Sequence, residues 1–232
     1  MLVSDVTGDL PQVIGNDERL YEGDLMLYFR TLFFQSRNLH NPYHNLRHTL
    51  HVVWLCHKAC RYYQDELSPR QMRNLLITAL FHDFDHPGHS HPGENDPDRI
   101  NIQIAIAGLR RHILPADHVF LPEIETLIEA TQYPYKVGSD KLDLLGQIIR
   151  DADLAQALSS AWIQQIIVGL AVEWGVHPIE VLRGQASFLA GLSLYTRWAR
   201  ELFPQELIQA KIDEVEQLLR LLEAAPASAA GN

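Results

Sequence analysis

The sequence predicts an all-α fold made of one domain. Three observations carry this. Apolar residues recur at helical spacing along almost the whole chain, no run of any length alternates with strand period, and no linker or internal repeat divides it. With 232 residues, 26.5 kDa and 47% hydrophobic content, the chain has the apolar material for one sizeable core. The domain is expected to span 1–223, with its chemistry-bearing motifs within 41–204. The Ala, Ser, Pro and Gly of 224–232 read as a disordered tail.

The first helix is expected over 25–34, with Asp24 as its cap. Asn41-Pro42 breaks the chain and opens a helix carrying His44, His48, Val52 and Leu55. Ser68-Pro69 reads as a cap followed by proline in the first turn. That helix runs through Leu75, Leu76, Ala79 and Leu80 into His82-Asp83. Residues 87–98 hold three prolines and two glycines, and are expected as loop. Further helices are predicted over 101–109, 122–131, 141–158, 162–174, 178–202 and 206–222.

The formal charge of −10 argues against a general nucleic-acid binder, which needs a basic surface. It leaves a small phosphate substrate open, because bound cations reverse a local potential. The first 20 residues lack the basic start and apolar core of a signal peptide. No apolar run approaches the ~20 residues of a membrane span. Cys56 and Cys60 fit two free thiols in a reducing compartment better than a redox or metal pair, so cytoplasm is the expectation.

Three stretches carry chemistry: Tyr43-His44-Asn45-Leu46-Arg47-His48, His82-Asp83-Phe84-Asp85-His86-Pro87-Gly88 and Asp151-Ala152-Asp153-Leu154. Imidazole nitrogen and carboxylate oxygen without thiolate suit a hard or borderline divalent cation. On a helix His44 and His48 share a face, as ligands or as two solvated rings. His51 and His57 show how freely the same helix uses histidine. His82-Asp83 ends a strongly apolar run, so the pair either finds a buried partner such as a cation or emerges into water. Asp85 and His86 weaken the second account, because four ionisable groups in five positions oppose one another without a common partner. Asp151 and Asp153 point about 200° apart on a helix, so only one of them can face a site.

In this order, His, His-Asp and a distant Asp define the HD superfamily of metal-dependent phosphohydrolases. His-Asn-x-x-His and His-Asp-x-Asp-His-Pro-Gly resemble class I cyclic-nucleotide phosphodiesterases, in a compact form. Glu129-Ala130-Thr131, Trp162 and Gln185-Ala186-Ser187-Phe188 extend the resemblance, with Trp198 and Phe203 on a following helix. It implies that His48, His82, Asp83 and Asp153 hold one divalent cation, Asp153 being preferred through the Ala-Asp-Leu pattern. Asp83 would bridge to a second ion. Mn, Mg, Zn, Fe, Co and Ni are not distinguished. Hydroxide activated by the metal would attack phosphorus, with His44 as general acid. The resemblance gives His86 the bridging water or a phosphate oxygen, and Asp85 a structural task. Tyr43, Gln185 and Phe188 would bind a small nucleotide or phosphoester, Gln185 bonding a purine whose face packs on Phe188.

The chain also departs from that family. Its Tyr-Asn-Asp and Glu-Asn-His-His segments have no counterpart, His51 replaces an aspartate and His91 an asparagine. A nucleotidase or other phosphomonoesterase is therefore an alternative on the same four ligands. A diiron oxygenase drawing on His86, His112 and His118 is a second. A nucleotide-binding module without turnover is a third.

Overall fold

A computed structural model describes residues 25–88, 97–135 and 138–224. The expected Asp24 cap, His89, His91 and the tail beyond Ala224 lie outside the described residues. The described residues are helical with no strand among them, as the spacing predicts. Ten α-helices follow in order: α1 Leu25–Gln35, α2 Leu46–Tyr62, α3 Pro69–Phe81, α4 Pro97–His112 and α5 Leu121–Ala130, then α6 Leu144–Leu154, α7 Gly169–Trp174, α8 Pro178–Gly191, α9 Arg197–Leu202 and α10 Gln205–Ala224. No single described helix is long and apolar enough to cross a membrane.

The centre of the fold is the trio α2, α3 and α6, which pack on one another, with α1 and α5 laid against α3. Leu55, Leu75, Leu76, Ile77, Ile148 and Ile149 are fully enclosed there. Such burial is worth roughly 1.5–3 kcal/mol per large side chain. It lets the ends of these helices carry polar groups inward. A second layer, α7 and α8 backed by α10, lies across from them, and α7 and α8 close the other side of the cavity.

Local chemistry sets the ends. Ser68 and Gln71 form a capping box at the start of α3, with Pro69 in the first turn. The helix expected from residue 41 instead begins at Leu46, because Asn45 caps it by accepting from the amides of Arg47 and His48. His44 therefore precedes the helix. The helix expected over 178–202 is two helices. Buried Asp151 accepts from the Tyr195 and Thr196 amides and the Thr196 hydroxyl, and Thr196 then caps α9. α6 starts at Leu144 under an Asp143 cap and tightens to a 3-10 turn at Ala155–Leu158. The segment expected over 162–174 opens π-wound at Ile163–Val168 before α7. α4 begins earlier than its apolar spacing shows, at Pro97.

Candidate metal centre

His48 sits in the first turn of α2, His82 at the C-terminus of α3 with Asp83 in the turn beyond, and Asp153 in the last turn of α6. The packing of these three helices brings four side chains together that are up to 105 residues apart. His48 Nε2 lies 3.2 Å from His82 Nε2, 3.3 Å from Asp83 Oδ2 and 3.2 Å from Asp153 Oδ1. His82 Nε2 is 3.3 Å from Asp83 Oδ2 and 3.6 Å from Asp153 Oδ1. Both histidines are buried, so the alternatives of solvated rings and of a helix end in water do not hold. Asp151 faces away, toward the break between α8 and α9.

The donors fit a cation. His82 Nδ1 points at the Ala79 carbonyl at 2.9 Å and His48 Nδ1 at Gln156 Oε1 at 2.6 Å. Each Nδ1 therefore carries a hydrogen, which leaves Nε2 of each ring as the nitrogen that would offer a lone pair to a cation. Two lone pairs and two carboxylates converge, while Asp83 Oδ2 is buried with no hydrogen-bond partner. Ligand edges around a cation with ~2.1 Å bonds are roughly 3.0 Å in an octahedron and 3.4 Å in a tetrahedron, which brackets most of these separations. His48, His82 and Asp83 also form a compact group able to hold a metal ion. Electrostatics agree. Burial lowers His82, but Asp83 and Asp153 outweigh it and lift the ring to about 9. Burial raises Asp83, yet the histidines around it hold it well below the usual carboxylate range. The cluster takes up a proton where a cation would serve.

Beside this centre, His44 Nδ1 donates to Glu173 Oε2 at 2.6 Å. Glu173 Oε1 also accepts from the Tyr43 and His44 amides. Burial lowers His44, but the Glu173 bond and the charges of Asp83, Glu173 and Asp153 raise it above its ordinary value. His86 stacks on the His44 ring, 3.8 Å between centroids and 19° between planes. The Gly88 amide donates to His86 Nδ1 at 3.1 Å. Burial and the neighbouring His44 push His86 down to about 3, so it is neutral with its hydrogen on Nε2. That leaves a donor, which disfavours His44, His86 and Glu173 as a second cation site.

One cavity of about 460 Å³ joins these groups to Tyr43, Gln185 and Phe188. Gln185 is buried, and its Nε2 has no partner. Phe188 is half-buried and meets Tyr133 at 6.4 Å. His112 packs on Phe84 and His118 is exposed, and neither lines the cavity, so of the three histidines the diiron alternative draws on only His86 lies at the site. Asp85 lies off the cavity, in a structural position. It takes the left-handed conformation at φ 60° and accepts from the Arg37 amide. Cys56 and Cys60 are both free and buried.

Three contributors escape the motifs: Glu173, Gln156 and Gly169. Glu173 is a lone acid in an apolar helix, a signal legible in retrospect. Gly169, one turn earlier, lets α7 touch residues 42–43, since a Cβ there would stand 2.9 Å from the Pro42 carbonyl oxygen. Gln156 follows Asp153 by three residues and carries no pattern of its own.

Residues 43–94 match the family model for 3'5'-cyclic nucleotide phosphodiesterases. The matched stretch holds His44, His48, His82, Asp83 and His86 and covers under a quarter of the chain; Asp153, Gln185 and Phe188 lie beyond it. It supports a phosphodiesterase-type hydrolase at the level of that family. No curated protein matches the chain.

Proposed function

We propose that this chain is a metal-dependent phosphodiesterase that hydrolyses a purine cyclic nucleotide. What carries the reading is the meeting, in one cavity, of four convergent donors with a histidine held on a buried glutamate. His48, His82, Asp83 and Asp153 would hold one divalent cation, and Asp83 has the spare oxygen to share with a second. When bound, such a cation lowers the pKa of water and polarises phosphoryl oxygens.

The residues of the chain do the rest. His44 presents Nε2 to the cavity with Nδ1 committed to Glu173, so its proton is available to the departing ribose O3′. Binding a cation offsets the pull of Asp83 and Asp153, but the Glu173 bond still holds the proton. His86 has its Nε2 hydrogen free to donate to a phosphoryl oxygen. Tyr43 contacts the rings of both His44 and His48, at 4.6 and 5.0 Å between centroids, and limits their tilt. At the far end Gln185 has an amide hydrogen to give a purine edge, and Phe188 a face to pack on it. Ile166 and Leu170 make the wall between them apolar, which strengthens these polar contacts by excluding water.

The test is a hydrolysis screen of cyclic and linear nucleotides with Mn, Mg, Zn, Co, Ni and Fe, beside elemental analysis of the purified protein. Purine cyclic nucleotides should be cleaved to monophosphates only with a cation present. Faster release of free phosphate from nucleoside monophosphates would replace this reading by the nucleotidase one.

A further inference from the structure

We infer that Asn41 is a positioning residue that fixes the proton donor His44 against His86. The inference rests on the role proposed for His44. The two rings stack at 3.8 Å, but they come from different parts of the chain and do not bond each other. His44 is turned by Glu173 and His86 by the Gly88 amide. The Asn41 amide joins their backbones: Nδ2 donates to the His86 carbonyl at 2.7 Å and to the His44 carbonyl at 3.2 Å. One nitrogen with two hydrogens serves two carbonyls, which neither Asp nor Ser could do, and Gln would carry the amide one methylene too far.

Asn41 is itself held. Its amide donates to the Asn38 carbonyl, and its carbonyl accepts from Asn45 Nδ2. Asn38, fully buried, donates to the Asp83 carbonyl at 2.8 Å. The Asp85 amide donates to Ser36 Oγ, and Asp85 Oδ1 accepts from the Arg37 amide. Residues 36–45 are thus sewn along the turn that carries Asp83 and His86. Gly88 completes the arrangement. A Cβ there would stand 2.6 Å from the Asn41 side chain, and its φ of +70° already favours glycine. An asparagine that only shaped the chain before α2 would need neither carbonyl of the stacked pair.

Asn41 does not line the cavity, so its removal should spare cation binding and misplace the donor. Expected for Asn41→Ala and Asn41→Asp is a normal cation content, with kcat for a purine cyclic nucleotide lowered roughly 10- to 100-fold and KM little changed, the scale of a small misplacement. A nitrophenyl phosphodiester, which needs no proton, should lose much less. Gly88→Ala should give the same pattern with Asn41 in place, and serves if the Asn41 variants do not fold. In a His44→Ala background Asn41→Ala should add nothing. NMR cross-peaks between the His44 and His86 ring protons, present in the wild type, should vanish in the variants. Lost cation, equal losses on both esters, additivity with His44→Ala or surviving cross-peaks would each overturn the assignment. A wild type that cleaves neither ester would instead remove the proposed function, while the cross-peaks still decide for or against Asn41.

Discussion

Two buried polar clusters of this chain differ in whether their carboxylates are satisfied. Asp117 is fully enclosed, and each of its oxygens accepts twice: Oδ1 from Arg73 Nε and Arg70, Oδ2 from Arg73 Nη2 and the Tyr28 hydroxyl, all at 2.7–2.8 Å. The carboxylate has no acceptor position left over, although Arg73 Nη1 is buried without a partner, and the cluster ties α1, α3 and the turn before α5 together. At His48, His82, Asp83 and Asp153 acceptor faces acceptor, and Asp83 Oδ2 is buried without a partner. Burial is costly in both places. In the first the chain supplies the compensation for the carboxylate, and in the second a cation would supply it. Burial and charge alone do not mark a site. Acceptors that converge on one another do.

Breaking the open cluster should have the largest effect. Asp83→Ala is expected to take bound metal and activity to background together, because this carboxylate approaches both histidines. Stability should also lose the share that cation binding contributes. Elemental analysis with a turnover assay checks it, and a full metal complement with normal turnover would sink the ligand assignment.

Next is His44→Ala, where metal should remain and turnover of a cyclic nucleotide should fall roughly 10²- to 10⁴-fold, the range for loss of a general acid. An activated nitrophenyl diester should be spared. If both substrates suffer equally, His44 is not the proton donor.

Breaking the Asp117 cluster should give the opposite profile. Asp117→Ala strands Arg73 in the core and should cost about 3–5 kcal/mol in urea unfolding, with cation affinity unchanged. A variant that lost cation binding instead would show that the two clusters are not independent.

The same comparison has a pH form. His82 binds its proton more tightly folded, at about 9, than unfolded near ~6.5, so the stability it gives cation-free protein is full below pH ~6.5 and is lost as pH rises through about 9. The difference is worth up to about 3 kcal/mol. Asp117 is the reverse. Burial raises its carboxyl, but Arg73 and Tyr28 bring it below the usual range, so its contribution is present above pH ~4 and is lost on acidification. Saturating cation should remove the alkaline slope, because it takes the place of the His82 proton. Urea titrations from pH 6.5 to 9.5, with and without cation, measure this. A cation-free protein equally stable at both ends would contradict it.

How much of this was legible in the sequence follows from the range of the interactions. The helices show because their apolar period repeats in every turn, and the ligand positions show because their residue types are rare at apolar helix ends. The break at 192–196 does not show, since its cause is Asp151, some 44 residues away. His44 looks helical beside His48, but Asn45 is the cap, and only the fold reveals that Glu173 holds the ring. Asn41 reads as a breaker because its carbonyl partners are set by tertiary structure.

The smallest expected effect tests the far end of the cavity. Gln185 is buried on α8 with an amide hydrogen unpaired, the one feature there that resembles the incomplete cluster. A purine would complete it as the cation completes the other. Gln185→Ala should therefore raise KM for a purine cyclic nucleotide by about 10-fold or more, since a buried amide partner is worth on the order of 1–3 kcal/mol. A phosphodiester without a base should be unaffected, and metal content should not change because the four ligands are untouched. Stability should hold or rise slightly, as the wild type carries the cost of the unpaired amide whenever the cavity is empty. A KM change shared by all phosphoesters, or by none, would mean that Gln185 does not read the base, and base recognition would then have to come from the aromatic wall alone.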